Sequence, residues 1–267
     1  MKTVTDFKGF LIDLDGVLYV GDRAISGAKA AIQYLITEGY EFRFVSNTTR
    51  KCRATIAHNL NAMGIDITEQ SIFTPPLAAV TYMKNAGKNR YYLLTIGDVE
   101  KDFKQSCRCI PPAKPDFVVI GDAGDNISYD TLNTAFRFLM DGAELIALEK
   151  DRYWMASGGM SLSAGPIVSA LEFATGKTAT VVGKPSAAFF GLALQDMGLF
   201  PGQVAMIGDD IVTDIGGAQD AGMAGILVRT GKYRKEAVDC AAIKPDYILD
   251  SIAQIAEING RMSRPES

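Results

Sequence analysis

The sequence predicts an α/β fold in which helices cover a Rossmann-like parallel sheet. Strand-like and helix-like segments alternate along the 267 residues, which is the pattern of repeated strand–helix–strand units. A hydrophobic fraction of 48% is ample for a packed core. Two carboxylates, Asp13 and Asp15, close the first apolar run, and in open sheets of this kind ligands bind at the carboxyl ends of the strands.

The elements follow from apolar runs and their stop signals. Ser26 is expected to cap the first helix, and Gly39 to end it. The predicted helices span 26–38, 49–63, 130–140 and 167–175. The predicted strands span 7–14, 41–46, 72–73, 91–96, 116–120, 144–148, 180–182, 204–207 and 225–228, with a proline-rich loop at 107–115.

Composition and charge exclude several classes of function. A net charge of −4 gives no electrostatic footprint for nucleic acid or for an anionic membrane. No apolar run is long enough to span a bilayer, and no signal peptide is recognised, so we expect cytoplasmic residence. Four cysteines and one histidine, without regular ligand spacing, argue against structural zinc and for reduced thiols.

The pair Asp13 and Asp15 is the strongest chemical signal. Residues i and i+2 of a strand point to the same side, so the two carboxylates can converge beyond the strand end. Paired carboxylates suit Mg²⁺, and they also allow one nucleophile and one proton donor. The competing interpretation is an ordinary turn, because Asp and Gly are turn formers.

Three further strand ends carry polar residues. Ser46-Asn47-Thr48 ends one strand, Lys184 follows another, and Asp209 with Asp214 follows a third. Singly, each could be a cap, a surface charge or a loop acid. Together, at one edge of a parallel sheet, they provide the metal ligands, cation and neutral donors that phosphoryl transfer requires. No Walker A or dinucleotide-binding pattern is present.

The ordered set of these motifs resembles the haloacid dehalogenase (HAD) superfamily of phosphatases, and the likeness covers essentially the whole chain. Val182-Gly183-Lys184-Pro185, Thr213-Asp214-Ile215 and Thr230-Gly231 resemble its NagD and p-nitrophenylphosphatase branch. The sequence around 177–184 and 217–233 is similar to that of the phospholysine phosphohistidine inorganic pyrophosphate phosphatase group. That branch implies a core at 1–78 and 181–267, with an α/β cap of the C2 type inserted at 79–180.

The resemblance also implies a role for each motif residue. Asp13 is the nucleophile that forms an aspartyl-phosphate, and Asp15 is the general acid and then the base. Mg²⁺ is held by Asp13, Asp209 and the Asp15 backbone carbonyl, and Asp214 orients either Lys184 or metal-bound water. The substrate-binding residues are Ser46, Asn47, Thr48 and Lys184, of which Lys184 also steadies the nucleophile. The role of Asp210 is left open.

Specificity is expected to come from the cap. The glycine-rich stretches 121–126 and 155–165 are candidates to face the substrate, with surface turns as the alternative. Asp122 and Asp125 are hypothesised to favour a basic leaving group. The resemblance implies a small phosphomonoester, phosphoramidate or pyrophosphate substrate. It also suggests a homodimer through the cap, since such caps often mediate dimers in relatives.

Three other functions compete with a phosphatase. A receiver domain also forms a phospho-aspartate beside Mg²⁺, but receivers are about half this length and carry their acidic pair on a separate strand. A phosphomutase of the same superfamily is not favoured by a large α/β cap. A non-catalytic phosphate-binding protein is opposed by the completeness of the motif set.

Overall fold

The computed structural model describes residues 7–156 and 158–256. The strands in chain order are β1 Gly9–Asp13, β2 Tyr19–Val20, β3 Arg23–Ala24, β4 Glu41–Val45, β5 Ile72–Phe73, β6 Arg90–Leu94, β7 Cys107–Arg108, β8 Phe117–Ile120, β9 Glu144–Ala147, β10 Tyr153–Ala156, β11 Gly159–Leu162, β12 Thr180–Val181, β13 Val204–Gly208, β14 Ala224–Val228 and β15 Tyr247–Leu249. The helices are α1 Ala28–Thr37, α2 Arg53–Ala62, α3 Pro75–Asn85, α4 Tyr129–Met140, α5 Ala164–Thr175, α6 Ala187–Met197, α7 Gly217–Asp220 and α8 Lys235–Cys240.

The described chain divides into two compact units. The first comprises 7–46, 56–73 and 190–256, and the second comprises 47–55 and 74–189. The predicted cap at 79–180 falls within the second unit, which also takes in short segments before and after it. Among the described helices, none is both long and apolar enough to cross a membrane.

The first unit is built on a six-stranded sheet in the order β15-β14-β13-β1-β4-β5. Every pair in this sheet is parallel, and β1 lies at its centre between β13 and β4. All five residues of β1 and all five of β13 are buried, because helices cover both faces of a parallel sheet. The predicted Rossmann-like α/β core is therefore confirmed.

The second unit has its own parallel sheet and its own core. Its five strands run in the order β12-β9-β8-β6-β7. β8 is buried along its whole length, and it packs with residues such as Val168 and Leu139 of the flanking helices in a separate apolar cluster. An antiparallel hairpin of β10 and β11 completes this unit.

Four local predictions are corrected. The helix predicted at 49–63 begins at Arg53, because the Cys52 and Arg53 amides donate to the carboxylates of Asp98 and Asp102. The first helix has Gly27, not Ser26, at its N-cap. A short strand, β7, lies in the predicted loop at 107–115, and the stretch 155–165 holds most of the β10–β11 hairpin and the start of α5.

Candidate active site

The acidic centre of the first unit is formed by Asp13, Asp209 and Asp214. Asp13 is the last residue of β1, and Asp209 directly follows the neighbouring strand β13. The register pairs Ile12 with Ile207, so the two carboxylates leave the sheet side by side. Asp214 comes from the π-helical turn Ile211–Gly216. Carboxylate oxygens of all three lie within 4.8 Å of one another, and all three residues are buried.

Close backbone approach shapes the walls of this centre. Gly16 and Gly231 both have left-handed backbones, and a Cβ on either would collide with Oδ2 of Asp209. The same oxygen accepts a hydrogen bond from the Lys232 amide at 2.7 Å. The Thr230 hydroxyl donates to the Gly16 carbonyl and ties the two glycine-bearing loops together. These loops therefore fix the Asp209 carboxylate.

Asp210, whose role was left open, has a capping function. Its Oδ1 accepts hydrogen bonds from the amides of Val212 and Thr213 at 2.9 and 3.0 Å. These bonds start the π-helical turn that carries Asp214, and a Cβ on Gly208 would collide with the Asp214 side chain. Asp210 therefore helps to place Asp214 beside Asp13 and Asp209.

The electrostatics of the first strand end are negative. Burial, together with the negative charges of Asp15 and Asp13, raises the pKa of Tyr19 to about 12. Asp15 itself is exposed, and its backbone forms a bridge with Tyr19. An exposed carboxyl two residues after a buried one allows proton exchange with solvent, as a general acid and base requires.

Ser46 stands at the same edge of the first sheet. β4 is the neighbour of β1, and Asp13 is paired with Val45 in the ladder. Ser46 follows Val45 directly and is half-buried. The parallel register therefore brings its position beside the end of β1, as the sequence predicts.

Asn47, Thr48 and Lys184 belong to the second unit. Lys184 follows β12, and its side chain is almost fully buried. The Asn47 side chain brackets the Lys184 backbone: its Oδ1 accepts from the Lys184 amide at 2.7 Å, and its Nδ2 donates to the Lys184 carbonyl at 2.8 Å. Gly183 is required here, since a Cβ would collide with the Leu148 carbonyl. The structure thus groups the predicted residues into two sets, one in each unit.

Sequence reasoning missed several residues around these sets. The glycine walls at Gly16 and Gly231 are visible in sequence only as turn signals. In the second unit, Arg50 lies over the ring of Trp154, with 4.5 Å between its guanidinium carbon and the ring centroid. These two residues and the buried Glu149 line a cavity. A single tryptophan in 267 residues was the available signal for that region.

Two family models match the chain. A haloacid dehalogenase-like hydrolase model matches residues 10–106, and a HAD-hydrolase-like model matches residues 181–255. Haloacid dehalogenase-like hydrolase domain-containing protein 2 of Bos taurus is 44% identical over 245 residues, covering 92% of each chain. Phospholysine phosphohistidine inorganic pyrophosphate phosphatase of Homo sapiens is 40% identical over 263 residues, covering 96% of each chain.

Solved structures share the fold over nearly the whole chain. The p-nitrophenyl phosphatase from Archaeoglobus fulgidus superposes with a TM-score of 0.85 at 27% identity, covering 94% of this chain and 99% of that one. NagD from Escherichia coli K-12 superposes with a TM-score of 0.84 at 24% identity, covering 93% and 98%. The second likeness shows the fold alone.

Proposed function

Because the chain belongs to the haloacid dehalogenase-like hydrolase family, in its NagD-like branch, we propose that it hydrolyses a small phosphorylated substrate with Mg²⁺ through an aspartyl-phosphate on Asp13. Relatives named as phosphatases cover almost the full length of the chain, so it is a phosphoric ester hydrolase. The observation that carries the proposal is the convergence of three buried carboxylates at the ends of β1 and β13.

The residues at this centre fit Mg²⁺. The three clustered side chains all offer carboxylate oxygens, which a hard cation prefers, and a bound cation would offset the charge of the buried acids. We propose Asp13, Asp209 and the Asp15 backbone carbonyl as its ligands, with Asp214 supporting them. Bound Mg²⁺ would neutralise charge on the phosphoryl oxygens.

The proposed reaction has two displacements. An Asp13 oxygen bonds to phosphorus while the bond to the leaving group breaks, and Asp15 gives its proton to the departing atom. Asp15 then takes a proton from water, and the hydroxyl attacks phosphorus. The bond between phosphorus and Asp13 breaks, which releases phosphate and restores the carboxylate.

The phosphoryl group is proposed to bind to Ser46, Asn47, Thr48 and Lys184. Hydroxyl, amide and ammonium groups stabilise the equatorial oxygens without competing for phosphorus. The two hydrogen bonds between the Asn47 side chain and the Lys184 backbone support an additional positioning role for Asn47, since they fix the backbone from which the lysine side chain extends.

Cytoplasmic residence stays a prediction.

A homodimer through the second unit is also proposed. The ladder pairs Tyr153 with Leu162 and Met155 with Met160, which places four apolar side chains on one face of the hairpin. Each is at least 55% exposed, and such a contiguous apolar face is typical of a protein contact. Light scattering of the purified chain measures the mass directly; a monomer at all concentrations would contradict the dimer.

Phosphate release across a panel of phosphomonoesters, phosphoramidates and pyrophosphate tests the main proposal. We expect release that needs Mg²⁺, stops in chelator, returns on adding Mg²⁺, and falls by about 10⁴-fold in Asp13→Asn. Asp66→Asn, the same change at an exposed acid that pairs with Lys29 at the surface, serves as the control. Full activity of Asp13→Asn would overturn the nucleophile. Binding of phosphate compounds without any release would favour a binding function.

A further inference from the structure

A cavity of about 300 Å³ lies wholly within the second unit. Its lining includes hydroxyl groups, one cation, one aromatic ring and three acids, among them Thr48, Ser163, Arg50, Trp154, Asp122 and Glu149. A polar cavity with an aromatic wall is typical of small-molecule sites. The chemistry that each charged group offers depends on its existing partners.

Arg50 is held in place on two sides. Its guanidinium lies over the Trp154 ring, and its Nε donates to Oδ2 of Asp122 at 2.8 Å. No other side-chain hydrogen bond of Arg50 is present among the described residues, and 40% of the side chain is exposed. The two terminal nitrogens are therefore available as a preorganised fork, the geometry that binds carboxylate or phosphate in a bidentate manner.

The acids of the cavity are already engaged by donors of the protein. Asp122 is paired with Arg50 and also accepts from the Gly124 amide at 3.2 Å. Glu149 accepts from the Asp151 amide, the Ser163 hydroxyl and the Ala164 amide. Asp151 also borders the cavity, but it is exposed, where solvent screens its charge.

This arrangement changes the hypothesis about a basic leaving group. Asp125 is not among the residues that line the cavity, and Asp122 supports Arg50. Asn47 and Thr48, which are proposed to bind the phosphoryl group, line the cavity together with Arg50. A substrate whose phosphoryl group contacts these two residues would place its remaining atoms near Arg50.

From these contacts we infer that Arg50 selects substrates bearing a second anionic group, either a carboxylate or a second phosphoryl group. The inference rests on the proposed phosphatase function, because it assigns the part of the substrate that is not the scissile phosphate. Trp154 and Asp122 act as positioning residues: the ring supports the guanidinium face, and the carboxylate fixes Nε.

Binding can be measured without turnover, because Trp154 is the only tryptophan and lies against Arg50. The probes are ω-carboxyalkyl phosphonates of increasing length, matched alkyl and ω-aminoalkyl phosphonates, and methylene diphosphonate. We expect the dianionic probes to change Trp154 fluorescence and to bind about ten- to hundredfold more weakly to Arg50→Gln. Arg50→Lys, which keeps charge but loses the fork, should fall between.

Kinetics on the corresponding phosphates and pyrophosphate supply the second arm. The ratio of kcat/KM for carboxyalkyl over alkyl phosphates should drop about tenfold or more in Arg50→Gln. Lys51→Gln removes a neighbouring exposed charge and is the matched control, for which the ratio should hold. A preference for aminoalkyl compounds, or an unchanged ratio in Arg50→Gln, would overturn the inference. If the native chain releases no phosphate from any of these compounds but still binds the dianionic probes in an Arg50-dependent manner, the result would count against the phosphatase proposal alone.

Discussion

Both sheets of this protein place carboxylates at or just beyond the ends of parallel strands, but the surroundings of these acids differ between the two units. In the first unit, Asp13 and Asp209 lie at the ends of neighbouring strands, and their carboxylate oxygens lie within 4.8 Å of those of Asp214. Like charges so close together are mutually unfavourable in a buried site. The proposed Mg²⁺ would offset part of this repulsion.

In the second unit, each corresponding acid has its own donor. Asp122 follows β8 and meets Arg50, while Glu149, two residues after β9, meets a hydroxyl and two backbone amides. These carboxylates are part of the structure and need no external cation. An acid at the end of a strand therefore favours a metal site only where several such acids converge.

We expect the largest effect from removing one charge from the acidic centre of the first unit. In Asp209→Asn, phosphate release should fall about 10²- to 10³-fold, because a proposed metal ligand and part of the local charge are lost. The melting temperature in chelator should rise, since one member of the repelling trio is neutral. A phosphate-release assay measures the activity, and scanning calorimetry in chelator and in Mg²⁺ measures the melting temperatures. If Asp209→Asn melts at a lower temperature than the native chain in chelator, the three carboxylates do not repel one another in the folded chain.

The glycine wall provides a smaller, sharper test. Gly16→Ala should reduce Mg²⁺ affinity and activity about ten- to hundredfold, because the new methyl group would displace the Asp209 carboxylate. Gly21→Ala is the matched control: its backbone is also left-handed, but no atom lies within 4 Å of the added Cβ. Both should cost about 1–2 kcal/mol of stability. Equal activity in the two variants would show that Gly16 is not needed to position the Asp209 carboxylate for the proposed reaction.

The acid with internal donors should respond in stability rather than in activity. Burial raises the pKa of Glu149 above its ordinary value, against the opposing effect of its hydrogen bonds from Ser163, Ala164 and Asp151. A raised folded-state pKa contributes stability that is complete below the unfolded-state pKa and is lost as pH rises through the folded value. The advantage of the native chain over Glu149→Gln should therefore shrink between mildly acidic and neutral pH.

Glu149→Gln should itself cost about 1–2 kcal/mol, because an amide cannot accept from all three donors. Urea unfolding at a series of pH values, followed by Trp154 fluorescence, reports on the hairpin whose two ends Glu149 joins. Ser163→Ala removes one donor and keeps the charge, so it should retain the pH dependence. A stability difference that grows with pH would reverse the assigned direction of the Glu149 pKa.

Much of the fold follows from local signals in the sequence. The apolar runs at β1 and β13 are correctly placed, as is the end of α1 at Gly39, whose backbone is left-handed. These predictions succeed because a buried parallel strand must be apolar along its length. The predicted start of α2 is wrong because the backbone amides at the true start donate to Asp98 and Asp102, which lie more than 40 residues away in the sequence.

The sequence alone determined the Rossmann-like class, the order of the motifs and the convergence of Asp13 with Asp209, since adjacent parallel strands must end at one edge. The contacts of each acid, in contrast, depend on segments that the fold brings together from distant parts of the chain. Asp122 carries the same sequence signal as Asp209, yet the fold brings Arg50 to Asp122 and brings Gly16 and Gly231 to Asp209. The physical reason is that charge compensation depends on neighbours in space, which local sequence patterns do not encode.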